Sequence, residues 1–339
     1  MVYTKKKNSI CLTFFYITAV ERTVLIMKKR KSLLKTSVFV LGALEIFNKV
    51  IDSSSIVNTN TRTGGKYYHW KHGDIFYHVY GEKGNPPLLL IHDLTVGSSS
   101  YEWHHLARQL TDTYRIYTID LVGCGKSDKP GITYTNYFYV QMITDFVTEV
   151  IGQRTNVAAT GLSNSFVLLA NAINHDLFDE IMMVSPTDLT TLKKTPDDRS
   201  RFIVRAFELP IIGKALYYAF TSHMNTEYYL TETCFFDSFH MEPSVVKAYY
   251  DAAHAGNGNG KYLLASQFGN YLYADVSRTL KAADNRIVLV IGTQNKKADT
   301  LIREYLAIQP HLVIEPISES KLLPQLENEG EMLELLYTF

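Results

Sequence analysis

From Lys66 onward the chain alternates uninterrupted apolar runs with helical patterns, and this constrains the fold more than any other feature. The runs are PPLLLIHDL, YRIYTIDLVG, NVAAT, EIMMVSPTD and RIVLVIG. Without polar alternation, such runs read as strands buried on both faces. Between them lie helical patterns in EWHHLARQLTD, in YFYVQMITDFVTEVIG and from Ser163 onward. Ahead of them, KYYHWKHGDIFYHVYGEKG reads as a hairpin turning near Lys71 to Asp74. Strands alternating with helices predict an α/β fold, with right-handed crossovers and a mostly parallel sheet covered on both sides. Function in such sheets gathers at the carboxyl ends of the strands.

Composition excludes several classes. Among 339 residues, 46% are hydrophobic and the formal net charge is +0, so nothing directs the chain to nucleic acid or a polyanion. Cys11, Cys124 and Cys234 are too far apart for a zinc site or a disulfide framework and read as free thiols. No metal cluster, dinucleotide fingerprint or repeat is visible, so no cofactor is expected. LVGCGKSDKPG, with GKS after a strand, raises a phosphate-binding loop. That pattern needs a glycine where Asp120 stands, and Pro130 breaks the helix that would hold the phosphate.

The N-terminal 65 residues read as an extension. Residues 1–26 contain ICLTFFYITAV and precede a second start-like Met27, which raises an upstream extension from a mis-chosen start. The basic KKRKSLLK then precedes TSVFVLGALEIFNKVI, which is short for a membrane span and carries Glu45. No small-residue cleavage site follows, so an uncleaved signal anchor or a helix lying in a membrane surface is expected. Basic residues before the apolar ones favour an extracytoplasmic domain. The polar run from Ser53 to Gly65 reads as a linker.

LLLIHDL, EWHHLARQL, YTIDLVGCGKSDKP and TGLSNS, in that order and spacing, resemble the α/β-hydrolase fold family in its lid-bearing esterase and lipase-like branch. The resemblance implies a three-layer α/β/α sandwich with a mostly parallel eight-stranded sheet and an inserted helical cap. It divides the chain into core at 66–188, cap at 189–285 and core again at 286–339. It also implies a sharp turn carrying a nucleophile. Such a turn needs small residues two before and two after the nucleophile, and around Ser163 these are Gly161 and Ser165. The N–H groups of Asn164 and Leu94 would then hold the oxyanion. Asp93 stands where the family usually has glycine, and its tolerance of unusual backbone angles would keep the loop's shape.

A serine nucleophile needs a base and an orienting acid. By the resemblance, the acid follows RIVLVIG, where Asn295 stands, and the base lies in a run that here begins at Leu322. Asp188 is the substitute acid considered first, with Asp299 and Glu315 behind it. His311 precedes its strand, His175 lies a helix length from the turn, and His92 belongs to the oxyanion loop. His104 and His105 sit on a helix, which leaves His223, His240 and His254 of the cap as histidines that could reach down.

Two readings stay open. One is a serine hydrolase acting on a carboxylic ester or similar acyl substrate through Ser163, with the cap closing a pocket for a small apolar or acyl ligand. The other is a non-catalytic relative that binds a ligand or protein partner between core and cap. A haloalkane-type mechanism would need aspartate at position 163. Partners are thus a small apolar or acyl ligand and a membrane surface; the oligomeric state is not readable.

Overall fold

The computed structural model describes residues 33–56, 64–239 and 241–339. Cys11, His240, the upstream segment and most of the expected linker lie outside them. Helix α1 (Leu33–Ile56) contains the apolar stretch and runs past Ser53, so the linker's first residues are helical. Among the described residues no helix is long and apolar enough to cross a membrane.

Eight strands form one sheet: β1 (Lys66–Trp70), β2 (Gly73–Tyr80), β3 (Pro87–Ile91), β4 (Arg115–Ile119), β5 (Thr155–Thr160), β6 (Phe178–Val184), β7 (Arg286–Gly292) and β8 (Val313–Ile317). Their order is β1-β2-β4-β3-β5-β6-β7-β8. The expected hairpin pairs β1 with β2, and β2 runs antiparallel to β4; every other pairing is parallel. Helices α2 (His104–Gln109), α3 (Asn136–Phe146) and α4 (Ser163–Ile173) are the early crossovers. Between β6 and β7 come α5 (Leu189–Leu192), α6 (Asp198–Glu208), α7 (Pro210–Phe220), α8 (His223–Tyr229), α9 (Pro243–His254), α10 (Lys261–Phe268) and α11 (Ser277–Ala282). After β7 come α12 (Ala298–Ile308), α13 (Pro324–Glu327) and α14 (Glu329–Tyr337).

The uninterrupted apolar runs follow from a sheet with a core on each face. Successive side chains of a strand point to opposite faces. In β3, Leu89 and Ile91 join one core while Leu88 and Leu90 join the other. In β7, Ile287, Leu289 and Ile291 divide likewise from Val288 and Val290. All five residues of β3 are buried, so no position could be polar without burying an unpaired group.

The GKS loop already holds an anion of its own. Asp120, directly after β4, accepts the N–H of Ser100 and that of Lys126, each at 2.7 Å. A Cβ on Gly125 would lie 2.2 Å from the same carboxylate, so glycine is required there for close approach. The residue that excluded a phosphate loop on sequence grounds therefore fills the loop.

Candidate active site

The strand-to-helix turn after β5 lies two residues earlier than expected. The left-handed residue is Gly161, at φ +58°, whereas Ser163 is already the first residue of α4. Ser163 is fully buried, and its hydroxyl donates to the main-chain carbonyl of His92 at 2.7 Å. Ser165, two further on, donates to the Leu162 carbonyl at 2.8 Å. The Asn164 side chain donates to the carbonyls of Gly161 and Val184 at 2.9 and 3.1 Å.

Asp93 shapes the site through its carboxylate rather than its backbone, which is not left-handed. Its Oδ1 accepts the N–H of Leu94 and the N–H of Leu162, both at 2.8 Å. Two backbone donors converging on one oxygen is the arrangement that stabilises an oxyanion in acyl transfer. The Leu94 and Leu162 N–H groups both serve the Asp93 carboxylate, and the Asn164 N–H expected beside Leu94 is not one of this pair. The oxygen they hold belongs to the chain itself. A Cβ built on Gly161 would lie 2.1 Å from that Oδ1 and 2.3 Å from Asp93 Cγ. Glycine at 161 and the inward carboxylate at 93 thus require one another.

A second buried carboxylate supports the first. Glu102 accepts the Asp93 N–H at 3.0 Å through Oε2 and the Tyr249 hydroxyl at 2.8 Å through Oε1. Gln325 places Nε2 3.2 Å from Thr160 Oγ1 and 3.5 Å from Glu102 Oε2. Burial, and then the neighbouring charge of Asp93, push the Glu102 carboxyl up to about 8. Burial also raises Asp93, opposed by the Leu162 and Leu94 N–H groups. Tyr249 belongs to α9, so Glu102 joins the oxyanion loop to the helical insertion.

The remaining expected residues are dispersed. Leu322 lines a cavity of about 40 Å³ together with Asp93, Gly161, Ser185, Tyr229 and Tyr249. Ser163 does not line it. Asn295 is spent on its own turn, its Oδ1 accepting the Lys297 N–H at 3.0 Å. Asp188 caps α5, accepting the Thr191 N–H at 2.7 Å, with Lys297 Nζ at 3.3 Å. Burial alone would raise its carboxyl, but the Thr191 and Lys297 contacts bring it below the ordinary value.

No described histidine side chain hydrogen-bonds Ser163 or lines the cavity. His92 is buried, with Nδ1 2.6 Å from the Asp93 carbonyl and Nε2 accepting the Leu121 N–H at 2.9 Å. Burial lowers its pKa, as a neutral structural imidazole requires. His254 is engaged with the Tyr250 carbonyl and stacked on Tyr218. His104 is engaged with the Tyr101 carbonyl, and His105 and His223 face Glu329 and Glu227. His175 and His311 are exposed.

Sequence reasoning gave Gly161 only as the small residue before Ser163, not as the left-handed residue of the turn, and it missed Glu102, Tyr249 and Gln325. A signal for Gly161 was present: Ala159 and Ser163 are small residues two before and two after it, so NVAATGLS fits the same rule in a frame two residues earlier.

Comparison with known proteins agrees with this architecture. The profile described as "Alpha/beta hydrolase family" matches residues 88–332. No curated protein sequence matches the chain. Among solved structures, the carboxylesterase CesB of Bacillus subtilis is 16% identical with a TM-score of 0.64, over 88% of this chain and 98% of that one. Cfl2 of Burkholderia cenocepacia is 13% identical at 0.67, over 81% and 95%. A bacterial membrane phospholipase A is 16% identical at 0.60, over 98% and 97%. At such identities these likenesses concern the fold, whereas the profile spans well over half of the sequence: the chain belongs to the alpha/beta hydrolase family.

Proposed function

We propose that this chain is a non-catalytic member of its family, in which the reaction centre has become a closed joint between core and cap and the protein acts by binding. The observation that carries this reading is the Asp93 carboxylate held by the Leu94 and Leu162 N–H groups. Those donors supply most of the stabilisation of an acyl-transfer intermediate in a working enzyme. Here they are occupied by a group tethered at every moment, and a substrate oxygen must displace it against a very high effective concentration.

The neighbouring positions support the same conclusion. Gly161 offers no nucleophile at the sharp turn, and Leu322, at the base position, brings only carbon to the cavity. Ser163 has its proton committed to a main-chain carbonyl. A carbonyl cannot serve as the base that the chemistry needs. The cavity of about 40 Å³ suits a few waters, far below the ~300 Å³ or more of an ordinary ligand pocket. At this place there is no room for an acyl ligand.

The test is labelling of the purified full chain with a fluorophosphonate, alongside Ser163→Ala, together with turnover of a short-chain aryl ester. Neither protein should label or turn over. Labelling or turnover that disappears in Ser163→Ala would overturn this reading and restore the serine hydrolase.

A further inference from the structure

From Asn48 onward, helix α1 carries side chains that pack on the helical insertion. Asn48 is buried and donates to the Ile211 carbonyl at 3.2 Å. Asp52 pairs with Lys214 at 2.7 Å and accepts the Tyr218 hydroxyl. Ile51 packs on the cluster of Val204, Phe207 and Tyr217. The last turns of α1 are thereby fastened to the helical insertion.

A stripe of α1 is apolar and open. Val40, Ile46, Phe47 and Val50 are 50%, 67%, 44% and 61% exposed, with Ala43 exposed between them. Their recurrence every three to four residues places them in one stripe along the helix. Large aliphatic and aromatic side chains left in water along one stripe mark a docking surface. The helix is 24 residues long, about 36 Å at about 1.5 Å per residue, yet it is not apolar enough to cross a bilayer.

The charge pattern selects the partner. Lys28, Lys29, Arg30 and Lys31 come shortly before Leu33 in the sequence, Lys35 follows it, and no acidic residue occurs from Lys28 to Leu44. A basic cluster beside an apolar helical stripe matches an anionic bilayer surface, where headgroups take the cations and the upper acyl region takes the stripe. A second copy docking through the same stripe would bring a second set of these cations to one interface, with Glu45 the sole acid within the stripe's length.

We propose that α1 lies along an anionic lipid surface through Val40, Ala43, Ile46, Phe47 and Val50. This inference is independent of the state of the reaction centre. The experiment is co-sedimentation of the full chain with vesicles of phosphatidylcholine alone and of phosphatidylcholine mixed with phosphatidylglycerol. The wild type should partition onto the anionic vesicles and much less onto the neutral ones, with partitioning reduced by high salt.

Ile46→Ser with Phe47→Ser should lower partitioning about 100-fold, about tenfold for each large side chain removed from the interface. Its thermal melt should match the wild type, because neither side chain belongs to a core cluster. Replacing Lys28, Lys29, Arg30 and Lys31 by Gln should abolish the preference for anionic vesicles. The proposal is overturned if the wild type ignores both vesicle types, if it binds them equally, or if the double variant binds as well as the wild type. A dimer in solution that the double variant dissolves, without vesicle binding, would assign the stripe to a second copy instead.

Discussion

Placing a serine at the sharp turn puts the Asp93 contact to a direct test. In Gly161→Ser the new Cβ would lie 2.1 Å from Asp93 Oδ1, 2.3 Å from Cγ and 2.8 Å from Oδ2, so the whole carboxylate has to leave. Leaving strips two buried N–H donors of the carboxyl oxygen 2.8 Å away, each loss costing about 1.5–3 kcal/mol. A left-handed backbone at φ +58° adds about 1–2 kcal/mol for a residue with a Cβ. The single variant should therefore lose about 4–8 kcal/mol. Asp93→Gly has already broken the two bonds and cleared the space, so in that background Gly161→Ser should cost only the backbone term, about 1–2 kcal/mol. The coupling energy across the cycle is then about 3–6 kcal/mol, large for any contacting pair. Urea unfolding followed by the fluorescence of the buried Trp70 and Trp103 measures all four proteins. Additivity within about 0.5 kcal/mol would refute the reasoning, because it would mean that the carboxylate does not occupy the space of a nucleophile.

Two further outcomes follow from the same network. Glu102 sits at about 8 against an ordinary 4.5, so the folded state holds its proton over a range where the unfolded chain has released it. Stability therefore falls as pH rises from 4.5 towards 8, by at most about 5 kcal/mol at about 1.4 kcal/mol per pH decade. Glu102→Gln should flatten that slope in urea midpoints taken across the range, and an unchanged slope would show that Glu102 is not its source. Ser163→Ala removes a buried hydroxyl that donates to the His92 carbonyl at 2.7 Å, and should cost about 1–2 kcal/mol in the same assay. A neutral substitution would mean that this bond is not maintained in solution.

On the non-catalytic reading proposed above, adding a single catalytic group should not produce hydrolysis. Leu322→His alone, assayed on an aryl ester, should remain at background, since the imidazole would face Gly161 and an occupied pair of donors. Measurable turnover in that single variant would show that the Asp93 carboxylate yields readily to substrate.

What the amino-acid sequence determined by itself was the layered architecture and the neighbourhood of the site. Uninterrupted apolar runs separated by helical patterns admit a sheet with a core on each face, and that is a local property of each run. Asp120 excluded a phosphate loop from its type and position alone. Asn295 and Leu322 are ordinary residues by type, and it is only the resemblance around them that raises the expectation of an acid and a base at those places. The frame of the turn was not determined, since small residues flank both Gly161 and Ser163 at the required spacing. That choice was settled by where β5 ends and which residue goes left-handed, a matter of how the strand pairs with its neighbours.

Only the tertiary structure revealed that Asp93 reaches the Leu162 N–H, 69 positions along the chain, and that Glu102 meets Tyr249, 147 positions away. Periodicity reports which face of an element is buried, but it carries no information on which loop a distant strand end will meet. The buried network of Asp93, Gly161 and Glu102 is therefore a product of packing, assembled from residues that look ordinary one at a time.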